Sequence, residues 1–341
     1  MASVYPRIQP AVRSSSTGGG AAQRANQRRD LITMTVLAVI AFALIAAYLL
    51  FDLSGNIDYV LGRRLRSIWA FALVAIAIGF STATFQTITA NRLLTPSIMG
   101  FDSLYILLQT VIVFVIGGTA ASTFGTVGSF WVEVGSMVLF AVLLYSWLLH
   151  TQVRVHTLLL IGVVLGMLFR SISTFLQRMI DPDTFMTLQN TFFASFTNVP
   201  KELLLPASVL LVVSMTVNWY DRRRLDVMGL GVPIATNLGI SPRAMRVRTL
   251  TSVALAVSVA TALVGPVTFF GLIVVHLAYR ALRVSHHSTM LPTVALIGMI
   301  ALTGGQLLVE RVFQLDIALA MIVEFVGGLL FIVLILRRKP L

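Results

Sequence analysis

Nucleophilic, redox and metal chemistry each need particular side chains, and in this chain most of them are missing or scattered. Its 341 residues include no cysteine, which excludes a thiol nucleophile, a Cys-ligated metal and a disulfide framework. Its only lysines, Lys201 and Lys339, lie outside any GxxxxGK[ST] loop, so ATP cannot be bound in the P-loop manner. Neither HExxH nor GxSxG occurs. His286 and His287 stand beside Arg283, and adjacent side chains diverge on a helix, so the pair reads as a solvated loop rather than a metal site. No catalytic residue, metal ligand or cofactor is expected. The expectation is a protein without chemistry of its own.

The elements that carry the remaining charged groups follow from composition. Only 11% of residues are charged, 57% are hydrophobic, and the mean hydropathy is +0.91. A soluble domain usually has about a quarter of its residues charged, so one or two soluble domains are excluded. Apolar runs fall at about 31–51, 67–89, 101–120, 131–149, 156–176, 203–220, 246–265, 268–282, 291–310 and 314–336. Only helices satisfy the backbone of such runs in lipid. The expected fold class is all-α, a polytopic membrane protein of about ten transmembrane helices, or about nine to eleven given the short run at 268–282 and the ambiguous stretch 185–199. Residues 1–30, rich in Ser, Gly, Gln and Arg, read as a disordered basic tail, and 31–338 as the membrane domain. An even number of spans puts both termini on one side. The net charge of +12 comes from arginines in short segments between runs, the large majority on the side of the N-terminus. That pattern places both termini in the cytoplasm, facing anionic membrane lipid and not nucleic acid.

A few residues break the apolar pattern. Fourteen residues beyond His156, Arg170 lies about 21 Å along its helix, about 9 Å from the outer edge of a roughly 30 Å core. It either snorkels to the interface or lines a path for an anionic substrate. Glu324, deep in the last run, needs a hydrogen-bond donor that the sequence does not name. Asn91, Pro96 and Gly100 interrupt one half of the chain, and Gly265-Pro266 the other, as in transporters built from inverted repeats. In the long basic loop 221–248, Pro233 suits a helix start and Gly239 a helix stop, giving a short amphipathic helix over about 232–239.

Three stretches resemble the FecCD-type permeases, the membrane subunits of bacterial ABC importers for ferric siderophores, haem and vitamin B12. Gln86 with Asn91-Arg92-Leu93-Leu94-Thr95-Pro96-Ser97-Ile98-Met99-Gly100 is similar to the Q…NPLA-x-P-x-x-LG segment, with Arg92 in place of Pro. The stretch Gly265–Arg280 is similar to G-x-I-x-F-x-GL-x-x-PH-x-x-R, with Val275 in place of Pro. Met290-Leu291-Pro292, Glu310-Arg311 and Val326–Phe331 resemble the last two helices. A narrower resemblance, carried by Phe80-Ser81-Thr82, the string from Asn91 to Phe101-Asp102-Ser103-Leu104-Tyr105, and Ala194-Ser195-Phe196, is to permeases for catecholate siderophores such as petrobactin, vibriobactin or anguibactin.

The resemblance implies a type II ABC importer permease moving a ferric siderophore inward, powered by separate ATPase subunits. It implies a second permease, a heterodimer being favoured, and an extracytoplasmic siderophore-binding protein. By the same resemblance Val232, Pro233, Ala235, Leu238 and Gly239 would couple to the ATPase. Arg63, Arg66 and Arg311 would receive acidic residues of the binding protein, although Leu65 stands where the family has Pro. Gln86, Asn91 and Arg170 would line the translocation path. The alternative, an ion-coupled secondary transporter, should carry several acids inside its spans, whereas only Glu324 is deep and Glu133 and Asp102 lie near run ends.

Overall fold

A computed structural model describes residues 18–51, 56–117, 120–150, 155–192, 194–197, 199–283, 286–312 and 319–336. Residues 1–17 of the expected tail, Arg154, and Arg337, Arg338 and Lys339 lie outside the described residues. In chain order the helices are α1 (Gly18–Leu50), α2 (Ile57–Thr89), α3 (Phe101–Ile116), α4 (Ala120–His150), α5 (Val155–Gln177), α6 (Pro182–Thr191) and α7 (Lys201–Tyr220). They continue as α8 (Arg222–Met228), α9 (Val232–Asn237), α10 (Pro242–Val264), α11 (Phe270–Ala281), α12 (His287–Leu307) and α13 (Leu319–Leu336). Among the described residues, seven helices are long and apolar enough to cross a membrane, and α3, α11 and α13 are shorter apolar helices.

The runs become helices, but their bounds shift for physical reasons. Helix α1 begins at Gly18, inside the stretch expected to be disordered, because Ala21, Ala22, Gln23, Arg24 and Ala25 favour helix beyond the point where hydropathy ends. The ambiguous stretch gives the ten-residue α6, whose cap Asp181 accepts the Thr184 N–H at 3.2 Å. Beyond it Ser195 N–H donates to the Val264 carbonyl at 2.7 Å, satisfying the end of α10. Helix α11 has 12 residues, about 18 Å of rise, so it reaches only part of the way across a bilayer core.

Helix α2 is the centre of the molecule, packed along its length by α10 and α12. Small residues allow the close approach: a Cβ on Gly298 would sit 2.9 Å from the Ala75 Cβ, and one on Gly79 would sit 2.5 Å from Val294 Cγ1. The two interruptions foreseen in the two halves meet. Gly100 (φ 89°) precedes α3 and Gly265 (φ 99°) follows α10, backbone shapes that favour glycine. Thr268, just before α11, donates to Asp102 Oδ2 at 2.7 Å in the first turn of α3.

Candidate functional site

At one end of the molecule the C-terminus of α1, the start of α2 and the π-helical turn Leu308–Val312 that follows α12 line a cavity of about 230 Å3, with Tyr48, Tyr59, Arg63, Arg64, Glu310 and Arg311 among its residues. The structure therefore brings Arg63 and Arg311 together from residues far apart in the chain. Arg66 is outside this lining and half-buried, its Nε donating to the Gly62 carbonyl at 3.2 Å. Arg64 has another task. It is buried, and its guanidinium donates to the carbonyls of Tyr48, Leu49 and Phe51 at 3.0, 3.0 and 2.8 Å, satisfying the open end of α1.

The opposite end carries α8 and α9. Gly231 (φ 109°) caps α9, Pro233 occupies its first turn, and Gly239 (φ 79°) follows its cap residue Leu238. Ala235 is fully buried in an apolar cluster with Ile88 of α2, Leu225 and Met228 of α8, and Met245 of α10. Leu230, Val232, Ile234 and Leu238 instead remain exposed, Leu238 by 63%. Ala235 is thus the buried side chain of α9, and the large apolar side chains of the helix face outward. Asp221 braces this end, bonded to Arg224 at 3.1 Å and Arg248 at 2.6 Å.

The residues expected on a translocation path do not share one cavity. Gln86 is 2% exposed, neither of its amide atoms has a bonding partner among the described residues, and it lines a cavity of about 610 Å3 with Arg92, Asp226, Tyr279, His286 and His287. Arg92 stacks over the Tyr279 ring at 4.4 Å. Asn91 uses its carboxamide locally, Oδ1 accepting the Leu93 N–H at 3.1 Å to hold the turn. Arg170 is exposed on α5, in a separate groove with Met167, Thr174, Phe175 and Arg178.

Some polar groups differ from what their spacing suggested. His286 is exposed as expected, but His287 is buried and bonded on both ring nitrogens, to Asp226 at 2.6 Å and to Thr87 at 3.0 Å. The diverging-neighbour argument fails because the pair straddles the helix start: His286 caps α12 and His287 opens it. Burial alone would raise the Asp226 carboxyl pKa, but hydrogen bonds from the His287 ring and backbone, with the charges of both histidines, hold it below the usual range. Glu324 of α13 lies near the Thr268 backbone and Asp102. Glu133 is buried and accepts from Gln109 Nε2 at 2.9 Å. Among the described residues no group of three or more His, Asp or Glu could hold a metal ion.

Comparison with known proteins gives this geometry its context. The model of the FecCD transport family matches residues 31–337. The petrobactin import system permease protein YclO of Bacillus subtilis (strain 168) is 42% identical over 312 residues, 91% of this chain and 99% of that protein. The petrobactin import system permease protein FatC of Bacillus anthracis is 32% identical over 317 residues, 90% of this chain and 89% of that protein. A solved metal-chelate type ABC transporter in an inward-facing conformation superposes with a TM-score of 0.76 at 21% identity, covering 90% of this chain and 99% of that one, and so shares the fold.

Proposed function

The chain belongs to the FecCD transport family, and from that premise we propose that it carries a catecholate-type ferric siderophore inward. It is a multi-pass permease of an ABC importer, a transport subunit that works with an ATPase and a substrate-binding protein and is not an enzyme. The observation that carries the substrate reading is the 42% identity to a petrobactin import permease across nearly the whole of both chains. A petrobactin-like ferric chelate is then the cargo, and a second, different permease completes a heterodimer served by two ATPase subunits.

The two ends take different partners. Arginines crowd the end with α8 and α9 (Arg92, Arg222, Arg223, Arg224, Arg243, Arg246, Arg248, Arg280 and Arg283), which makes that end cytoplasmic, with both termini on its side. There the exposed apolar side chains of α9, with Pro233 and Gly239 fixing its ends, seat the ATPase. At the outer end Arg63 and Arg311, supported by Arg66, receive acids of the binding protein. Gln86, near the α8 end, and Arg170 meet the moving chelate, and Asn91 shapes the turn beside Gln86. ATP binding shifts the permease between states because the ATPase contacts α9 differently in each.

Reconstitution tests this reading. Vesicles holding both permeases and the ATPase, supplied with binding protein and radioiron-labelled ferric petrobactin, should accumulate iron only with ATP. Uptake that persists without the ATPase and follows a proton or sodium gradient would overturn it.

A further inference from the structure

The α8–α9 segment is held to the core by two kinds of contact. The apolar one, Ala235 and Leu225 against Ile88, holds elements together without fixing direction. The polar ones are directional: at the start of α8 Asp221 pairs with Arg248 of α10 at 2.6 Å, and further along α8 the contact to α12 and α2 centres on a single ring. The α12 cap residue, His286, makes no side-chain cap, and Asp226 of α8 fills the role: its Oδ1 accepts the His287 N–H at 2.8 Å and meets the His287 Nδ1 at 2.6 Å. A carboxylate only accepts, so Nδ1 carries a hydrogen. On the far side of the ring, Nε2 lies 3.0 Å from Thr87 Oγ1, in the last turns of α2, and that hydroxyl is also 3.0 Å from the Ala83 carbonyl. The His286 ring lies 3.6 Å from Asp226 Oδ2, and Arg92 and Tyr279 line the same cavity. One imidazole, its side chain 7% exposed, thus joins α8, α12 and α2.

Helix α2 carries Arg63 at the opposite end, and the π-helical turn Leu308–Val312 that continues α12 carries Arg311. Helix α2 has 33 residues, about 50 Å of rise, and α12 is locked to it by the Gly298–Ala75 and Gly79–Val294 contacts. We infer that His287 is a positioning residue through which the paired helices α2 and α12 connect the ATPase-docking helix at one end to the binding-protein face at the other. A flat ring with nitrogens on opposite edges sets the spacing between α8 and α2, which a flexible side chain cannot do. A displacement of α8 is passed to α2 and α12 together and not absorbed by sliding of the apolar cluster. The inference rests on the reading that α9 docks the ATPase and that the arginine end docks the binding protein.

The full complex provides the test, using a binding protein that stimulates wild-type ATP hydrolysis. Thr87→Val removes the hydroxyl at nearly constant shape. His287→Asn keeps a donor for Asp226 but loses the reach to Thr87. Each should leave ATPase co-purification intact and basal hydrolysis within about twofold, as for a substitution that leaves packing alone. Stimulation by the binding protein should fall about fivefold or more. The double variant should be no worse than the stronger single one, since both cut one connection. Undiminished stimulation in Thr87→Val and His287→Asn overturns the inference. Should His287→Asn not assemble, Thr87→Val decides alone. Leu238→Asp separates the two readings: an ATPase that still binds that variant sinks the docking role of α9, whereas its loss beside intact stimulation in Thr87→Val sinks only the connection through His287.

Discussion

At the scale of single residues, neighbours of one type do unlike work. Arg63 and Arg64 are adjacent, yet Arg63 is exposed at the rim of a cavity and Arg64 is buried under the end of α1. Arg64→Ala should leave terminal carbonyls of α1 without a donor and cost about 1–3 kcal/mol, read as a lower thermal midpoint of the detergent-solubilised permease. Arg63→Ala should leave that midpoint nearly unchanged. Asp226 offers a second check, with its sign fixed by linkage. Its carboxyl pKa is held below the usual value, so it stabilises the fold above the unfolded-state pKa of about 3.9 and loses that contribution as pH falls further, through the folded value. Asp226→Asn should lower the thermal midpoint at pH 7 and flatten its decline below about pH 4. The sequence showed neither task. Two arginines in a row give no sign of which points inward, and a helix capped by a carboxylate 61 positions away leaves no local pattern.

At the scale of elements, hydropathy located the spans, and the Gly and Pro interruptions located the breaks before α3 and α11. Both signals are local: burial in lipid demands apolar runs, and positive φ demands glycine. Helix ends were less legible, because α1 continues on intrinsic propensity after its apolar run stops. The short helix expected over about 232–239 was legible from its capping residues, although it ends at Asn237, and the exposed apolar side chains there give it a testable weakness. Leu238 is 63% exposed, so Leu238→Asp should spare folding while weakening ATPase association about tenfold or more, measured by co-purification and by coupled hydrolysis. Gly298→Val tests the opposite case. It would press a side chain into Ala75 and should destabilise the α2–α12 pair by about 1–3 kcal/mol without touching α9.

At the scale of the whole molecule the informative quantity is the distribution of charge between the two ends. If the end with α8 and α9 faces the cytoplasm, as proposed, its basic cluster follows from the lipid, but Arg63, Arg66 and Arg311 at the opposite end run against that tendency and call for a separate reason. The meeting of Arg63 and Arg311 around one cavity, with Tyr48 and Tyr59, was beyond the reach of the sequence because it depends on how α1, α2 and α12 pack. Cations lining an open rim, Arg63 exposed and Arg311 half-buried, steer and orient a partner more than they hold it, so their contribution should weaken as salt rises through the range where the screening length shrinks to about 10 Å and below. Replacing both Arg63 and Arg311 with Glu should abolish stimulation of ATP hydrolysis by the binding protein at low salt and leave the basal rate in place. Reversing matching acids on the binding protein should recover part of it. The wild-type stimulation should itself decline between about 50 mM and 500 mM salt if ion pairs set the encounter, as the screening length shortens. Stimulation that is indifferent both to salt and to the double reversal would assign Arg63 and Arg311 to lipid headgroups instead.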